Sequence, residues 1–235
     1  MPARIMLMAT IMSTDTTALY RLLAWASPTF PTGGFSYSHG LEAAAADGAV
    51  RDRATLETWI AATIAQGSGR VDADILRDAW RAAAAGDEAA LIEANRRGVA
   101  YRATAELALE SNQQGAAFAA AHEAAWNPSP AIAKNGGHCH AAVFGAAAAR
   151  GGAGLEATLT SYLQAFAANL MSAGLRLGIV GQSDGQRILA VLEPVVATAV
   201  AASIARDPQD FGSASFALDL ASMAHETLYT RLFRS

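Results

Sequence analysis

The amino-acid sequence predicts an all-α fold, a single-domain bundle of roughly eight to ten helices built around a long central helix. Three observations carry this expectation. Alanine, the strongest helix former, dominates the chain; β-branched residues are sparse before the last third; and no stretch sustains the apolar and polar alternation of a half-buried strand. At 235 residues the chain is long enough to bury a core without a disulfide or a structural metal.

The elements follow from local chemistry. Residues 1–13, within 1-MPARIMLMATIMSTD-15, pair a basic residue with a short apolar run. They lack the small-residue cleavage site of a secretion signal, so a disordered N-terminal extension, or a start codon placed too early, is expected. The helical domain is then residues 14–235. A first helix spans 16–26 and stops at Ser27-Pro28, because a proline pushes the preceding residue out of the α region. A second, near 38–47, ends at Asp47-Gly48. Asp52 is placed to cap a third that carries Leu56, Trp59, Ile60, Thr63 and Ile64 on one face. Helices over 71–85, 88–98 and 101–125 follow, with Gly86-Asp87 as stop and cap. The prolines and glycines of 127-NPSPAIAKNGGH-138 forbid a continuous helix. Helix returns at 139–149, breaks at Gly151 to Gly154, and runs long over 156–177, where Ala165, Ala168, Ser172, Ala173 and Gly174 leave room for close neighbours. Ser183 or Asp184, with Gln186 in the first turn, resembles a capping box for the next helix, which Pro194 should kink or restart. Residues 218–232 place Ala221, Ala224, Leu228 and Leu232 along one last helical stripe.

Composition removes several function classes. The net charge is −4, and of 17 basic residues only Lys134 is a lysine, the arginines being scattered, so no basic stripe marks a nucleic-acid surface. The most apolar run, 188-ILAVLEPVVATAVAASIA-205, holds Glu193 and Pro194 at its middle and reads as a buried helix rather than a membrane span. The single cysteine, Cys139, precludes an intramolecular disulfide and fits a reducing, cytoplasmic compartment. No phosphate-binding G-x-x-x-x-G-K-[ST] loop occurs.

Four stretches invite a function. In 28-PTFPTGGFSYSHGLE-42, Gly34 to Ser38 falls one residue short of a G-x-S-x-G nucleophile turn. Ser36 is nonetheless a poor nucleophile, because a proline-terminated helix precedes it where a strand is required, and Ser38 replaces the final glycine. A rigid turn anchored by Phe30, Phe35 and Tyr37 explains the stretch better. In 138-HCH-140, His138 and His140 diverge by roughly 200° on a helix, which disfavours one intrachain metal site and leaves His138, Cys139 and His140 as candidates only for a weak or subunit-shared one. The glycine-punctuated 181-GQSDGQ-186 stands at a helix start, either as an anion site weakened by Asp184, as a partner contact, or as a plain helix start. The end, 223-MAHETLYTRLFRS-235, interleaves aromatic, apolar and arginine residues in the manner of an interface, or else folds back on its own core.

Three of these blocks, 22-LLAWASPTFPTGGFSYSHGLE-42, 181-GQSDGQRILAVLEP-194 and 218-LDLASMAHETLYTRLFRS-235, together resemble in order and spacing the signature blocks of the urease accessory protein UreF family. The turn Gly136-Gly137-His138 leading into Ala142 to Gly145 is a weaker fourth, and Cys139-His140 depart from the family pattern there. The resemblance runs from about residue 18 to the C-terminus. It implies an all-α protein that is not an enzyme and holds no tight cofactor. Such a protein acts with the UreD (or UreH) accessory protein, the GTPase UreG and apo-urease, in a complex that handles nickel for the urease active site. It implies a homodimer, and a C-terminal segment, 218–235, ordered against the UreD-type partner. Carried onto this sequence, the partner-binding residues are Gly33, Gly34, Phe35, Ser36, Tyr37, His39 and Glu42; Gln182, Asp184 and Gln186; and Met223, His225, Glu226, Tyr229, Arg231, Leu232, Phe233 and Arg234. The Gly33 to Glu42 turn would organise the groove in which the C-terminal segment or the partner seats. A nickel-binding metallochaperone using histidine and cysteine at a dimer interface is the alternative.

Overall fold

The computed structural model describes residues 15–126 and 137–235. Among these, ten α-helices succeed one another with no strand: α1 Thr16–Trp25, α2 Leu41–Ala46, α3 Arg53–Ala65, α4 Ser68–Ala85, α5 Glu88–Ala100, α6 Ala105–Ala125, α7 His140–Arg150, α8 Leu155–Arg176, α9 Gln182–Ala205 and α10 Phe216–His225. Two short 3-10 turns, Gly34–Ser36 and Pro208–Asp210, punctuate the connections. The N-terminal extension and most of the 127–138 loop lie outside the described residues.

Local signals set most boundaries. The Asp52 side chain accepts the Thr55 amide at 2.9 Å while the Thr55 hydroxyl accepts the Asp52 amide at 3.1 Å, a reciprocal cap on α3. Gly86, at φ +70°, ends α4, and Asp87 opens α5 by accepting the Ala90 amide at 2.9 Å. Elsewhere the chain departs from expectation. Helix α6 starts at Ala105 rather than 101, because Thr104 caps it through the Leu107 amide. Helix α9 is capped by Gly181 with no side-chain acceptor; Asp184 instead pairs with Arg187 at 2.8 Å. Pro194 does not interrupt α9: it sits on the exposed face, so the carbonyl of Ala190 that loses its partner faces water. Helix α10 ends at His225, seven residues short of the predicted stripe: the amides of Glu226, Thr227 and Leu228 tighten back onto the carbonyls of Met223, Ala224 and His225, and those of Leu232 and Phe233 go to a carboxylate described below.

Helices α4 and α7 pack face to face, and every residue of α7 from Ala141 to Ala148 is buried. Alanine makes this possible, since helices without bulk on the contact face approach closely. The long α8 lies across the bundle, touching α1, α2, α3, α4, α7 and α9. Leu56, Ile60 and Ile64 recur every four residues along the inner stripe of α3, each fully buried and each contributing about 1.5–3 kcal/mol by leaving water. An aromatic cluster of Trp25, Phe118, Phe144 and Tyr162 seals one end of the core. Helix α9 is not the wholly buried helix expected. It is long and apolar enough to cross a membrane by length and composition, with mean hydropathy 2.1. Its Ile188, Leu192, Val196 and Val200 face the bundle, whereas Val191, Ala197 and Ala201 face outward.

Glycines mark the tightest crossings. A Cβ at Gly145 would lie 2.6 Å from the backbone oxygen of Leu76, whereas one at Gly174 would meet only the Leu56 side-chain tip at 2.4 Å. Gly→Ala inside a helix gains about 1 kcal/mol of propensity, and overpacking costs about 1–3 kcal/mol where the neighbour cannot move. Gly145→Ala is therefore expected to lower the thermal midpoint by a few degrees, and Gly174→Ala to leave it unchanged or raise it. A circular-dichroism melt checks both, and a raised midpoint in Gly145→Ala would disprove the rigid crossing.

Candidate functional site

The family resemblance led to the expectation that the turn after α1 organises a groove in which the end of the chain or a partner seats; in the structure the end of the chain occupies that place. Gly33, at φ +74°, starts the 3-10 turn Gly34–Ser36, Tyr37 is extended, and His39 and Gly40 follow with φ of +59° and +80°. Two successive left-handed residues reverse the chain into α2. Gly40 also has to be small, since a Cβ there would lie 3.0 Å from the Ser222 amide of α10. This reversal sets Ser38 and Glu42, both buried, facing the last residues of the chain.

Glu42 is the anchor. Its carboxylate accepts the amides of Leu232 at 2.6 Å and Phe233 at 3.0 Å, and meets Nε2 of the fully buried His225 at 3.0 Å. The other ring nitrogen of His225 lies 2.6 Å from Glu106, whose second oxygen accepts Arg231 at 2.7 Å. Two carboxylates are thus bridged by one imidazole and closed by one guanidinium. The backbone completes the seat: the Arg234 amide donates to the Ser36 carbonyl at 2.9 Å, and the Ser38 amide to the Ser235 carbonyl at 2.9 Å. Arg176 of α8 bonds to the Phe35 carbonyl and stacks its guanidinium 4.3 Å from the centre of the Phe233 ring. Arg234 lies over Tyr37, whose phenol burial pushes upward in pKa.

Beside this anchor a second buried carboxylate, Glu110, accepts the Ser235 hydroxyl at 2.7 Å and Gln114 at 3.1 Å, and lies 3.2 Å from Nδ1 of His39. The opposite nitrogen of His39 is 2.5 Å from the Ser68 hydroxyl.

With its backbone held in this way, the segment turns part of its side chains outward. Phe233 is buried, but Leu232 is 63% exposed, Tyr229 fully exposed, and Phe35 on the facing turn 69% exposed. Arg176, Arg234, Phe35, Ser36 and Leu232 line a cleft of about 460 Å³. Met223 and Glu226 also face solvent on the last turn of α10 and just beyond it.

The remaining predicted residues stand apart. Gln182, Asp184 and Gln186 lie at the start of α9, where Asp184 is 4.0 Å from Arg53, and no hydrogen bond among the described residues links them to the C-terminal seat. Among the described residues no base bonds to the Ser36 hydroxyl; its carbonyl serves the Arg234 amide. The HCH residues do not converge. The Cys139 thiol is buried and accepts Arg102 at 3.0 Å, His138 donates its amide to Asn112, and His140 packs among the rings of Phe118, Phe144 and Tyr162. Burial pushes the His140 imidazole down to about 4. Among the described residues no group of three or more histidine, cysteine or acidic side chains is disposed to hold a metal ion.

Glu106, Glu110, Ser38 and Arg176 were not anticipated. A signal for Glu110 existed: its helical neighbours Glu106, Leu107, Gln113 and Gln114 include no cation, so a partner had to come from elsewhere.

Comparison with known proteins bears on all of this. The UreF family model matches residues 50–193. A urease accessory protein UreF of Granulibacter bethesdensis is 46% identical over 227 residues, covering 95% of this chain and 96% of the relative. Those of Rhodopseudomonas palustris (45% over 222 residues, 93% of each chain) and Methylorubrum populi (46% over 220 residues, 92% of this chain and 98% of the relative) are similar over nearly the whole length.

The Glu42 contacts set a pH dependence. Burial would raise its pKa, but the Leu232 amide, the His225 ring and the Phe233 amide together outweigh burial and hold it below the ordinary value of 4.5. A carboxyl lowered on folding contributes stability that is fully present above its unfolded value and lost as pH falls through the folded one. Glu42→Gln, which sets an amide against two backbone donors, is expected to cost about 3 kcal/mol at pH 7. The deficit relative to the unaltered chain should shrink as pH falls below 4.5. Chemical denaturation at several pH values checks this, and a deficit independent of pH would show that the charge of Glu42 does not hold the segment.

Proposed function

The chain belongs to the UreF family of urease accessory proteins, and we propose that it serves urease maturation as a scaffold, contributing binding rather than bond-breaking to that process. In this reading it associates in the cytoplasm with the UreD-type accessory protein and the GTPase UreG. The assembly meets apo-urease, and nickel is the cargo that passes between protein sites without release to solvent.

One observation carries the proposal: the C-terminal segment is fixed by its backbone and buried charges while Tyr229 and Leu232 are left facing outward, Leu232 in the same cleft as Phe35. A monomer gains nothing from ordering an exposed tyrosine and leucine. An interface does, because aromatic anchors ordered beforehand spare the entropy of immobilising them on binding. The arginines lining the same cleft add directional donors for carboxylates or carbonyls of a partner. The outward apolar face of α9, with Val191, Ala197 and Ala201, suits association with a second copy.

The reading that makes His138, Cys139 and His140 a nickel store gains no support from their geometry, since the thiol is enclosed and already bonded to Arg102.

Removing residues 223–235 would strip Glu42 and Glu106 of their partners and Glu110 of one, and cost stability as well as contact. A surface change is the cleaner test. Tyr229→Ala combined with Leu232→Ala is expected to abolish co-purification with the UreD-type protein while leaving the helical circular dichroism and the melting midpoint nearly unchanged. Retained binding in a folded double variant would refute the docking role of this segment.

A further inference from the structure

The sequence offered Ser36 as a nucleophile and gave reason to reject it. The structure places a different serine on the neighbouring histidine. Ser68, from the first turn of α4, sets its Oγ 2.5 Å from Nε2 of His39, and Nδ1 of the same ring lies 3.2 Å from Oε2 of Glu110. Hydroxyl, imidazole and carboxylate thus stand in series, in the order in which an activated serine, its general base and the group that orients the base are arranged. The three come from the 37–40 reversal, the start of α4 and the middle of α6, so no sequence motif announces them.

Further features favour chemistry over a simple polar contact. Glu110 is buried; Gln114 holds its Oε1, and the Ser235 hydroxyl donates to Oε2, the same oxygen that faces His39, which fixes the carboxylate that orients the ring. His39 is, among the described residues, the one non-glycine with positive φ, at +59°, and strain of this kind gathers at functional positions. Its ring and Ser68 line a cavity of about 310 Å³ whose walls include Val71, Ala100, Leu107 and Tyr101, a size and character that suit a small ligand. At the same helix end the amides of Ser68 and Gly69 have no acceptor among the described residues, whereas those of Arg70 and Val71 are taken by the Gly67 carbonyl.

We propose that Ser68, His39 and Glu110 form an acyl-transfer site that hydrolyses short-chain carboxylic esters, an activity separate from the scaffold role. Ser68 Oγ attacks the ester carbonyl carbon as its proton passes to His39 Nε2. The bond to the alkoxy oxygen breaks, and the alcohol leaves with that proton. Water then attacks the acyl carbon, giving a proton to His39. Ser68 Oγ departs, recovers the proton, and a carboxylic acid is released. Glu110 takes no proton; it is a positioning residue that orients the ring and supports its charged form.

The test uses the full-length chain, a fluorophosphonate probe with peptide mass spectrometry, and 4-nitrophenyl acetate as substrate. The probe is expected to add to Ser68, and Ser68→Ala, the loss of one oxygen from a half-buried helix start, to lower ester hydrolysis by about a hundred-fold or more. His39→Gln should act likewise, although its left-handed backbone puts folding at risk, and labelling of the unaltered protein needs no variant. No adduct at Ser68 on the folded chain, or equal hydrolysis by Ser68→Ala, overturns the proposal. Neither readout involves the UreD-type partner, so failure here leaves the scaffold reading untouched.

Discussion

A buried carboxylate has to be matched or it costs several kcal/mol, and the matching of Glu42 is the constraint on which this half of the molecule depends. The residue sits on α2, a helix of only six residues, and its donors come from about 190 positions further along the chain. Everything around it serves that encounter. The left-handed pair His39-Gly40 turns α2 so that the carboxylate faces inward, Gly40 lets α10 pass within contact of the turn, and Ser38 catches the final residue. Beyond α10 the amides of Leu232 and Phe233 have a charged acceptor in Glu42, and hydrogen bonds to charged groups are about twice as strong as those between neutral ones.

The core that carries this arrangement works by a different principle. Helix α7 presents alanine toward α4 and α8, so the distances between elements are set by backbone rather than by interlocking bulk. Where charge enters the core it is again paired across long separations: Arg77 donates to the Ser203 carbonyl at 2.5 Å, and Arg206 to Asp74 at 2.6 Å, tying the end of α9 to α4. The ionic links and the alanine contacts fix the same helices, one by direction and the other by distance.

What was legible in the sequence divides along these lines. Signals that act within one turn were readable: Asp52 as a cap, Gly86-Asp87 as a stop and start, and the break at Gly151 and Gly152. Signals that tertiary contacts override were misread. The stripe from Ala221 to Leu232 has proper helical spacing, yet the chain leaves the helix at His225 and the Leu232 amide, at the far end of the stripe, bonds to Glu42. Ser183 and Asp184 have the chemistry of caps, but Gly181 supplies the geometry. At the candidate site, composition and the family resemblance identified both the 33–42 turn and the final segment. The resemblance also set the final segment, or a partner, against that turn, but the contacts that hold it through Glu42, Glu106 and Glu110 were not legible, because a sequence does not state which distant group a buried acid will meet. Ser68 escaped notice for the same reason.

The long separation within the C-terminal seat also bears on how the chain acquires its structure. Residues 36–42 are made well before the groups that complete them, His225 to Ser235, the separation from Glu42 to Leu232 being 190 residues. During translation, at about 5–20 residues per second, the acids on α2 and α6 lack these partners, so this region cannot close until residues 225–235 have emerged. Contacts of such high sequence separation form slowly, because loop closure has to be achieved before they contribute anything. The final closure is therefore a late folding event, and until it occurs the nascent protein displays an open, acidic edge that a chaperone or a partner subunit would encounter first.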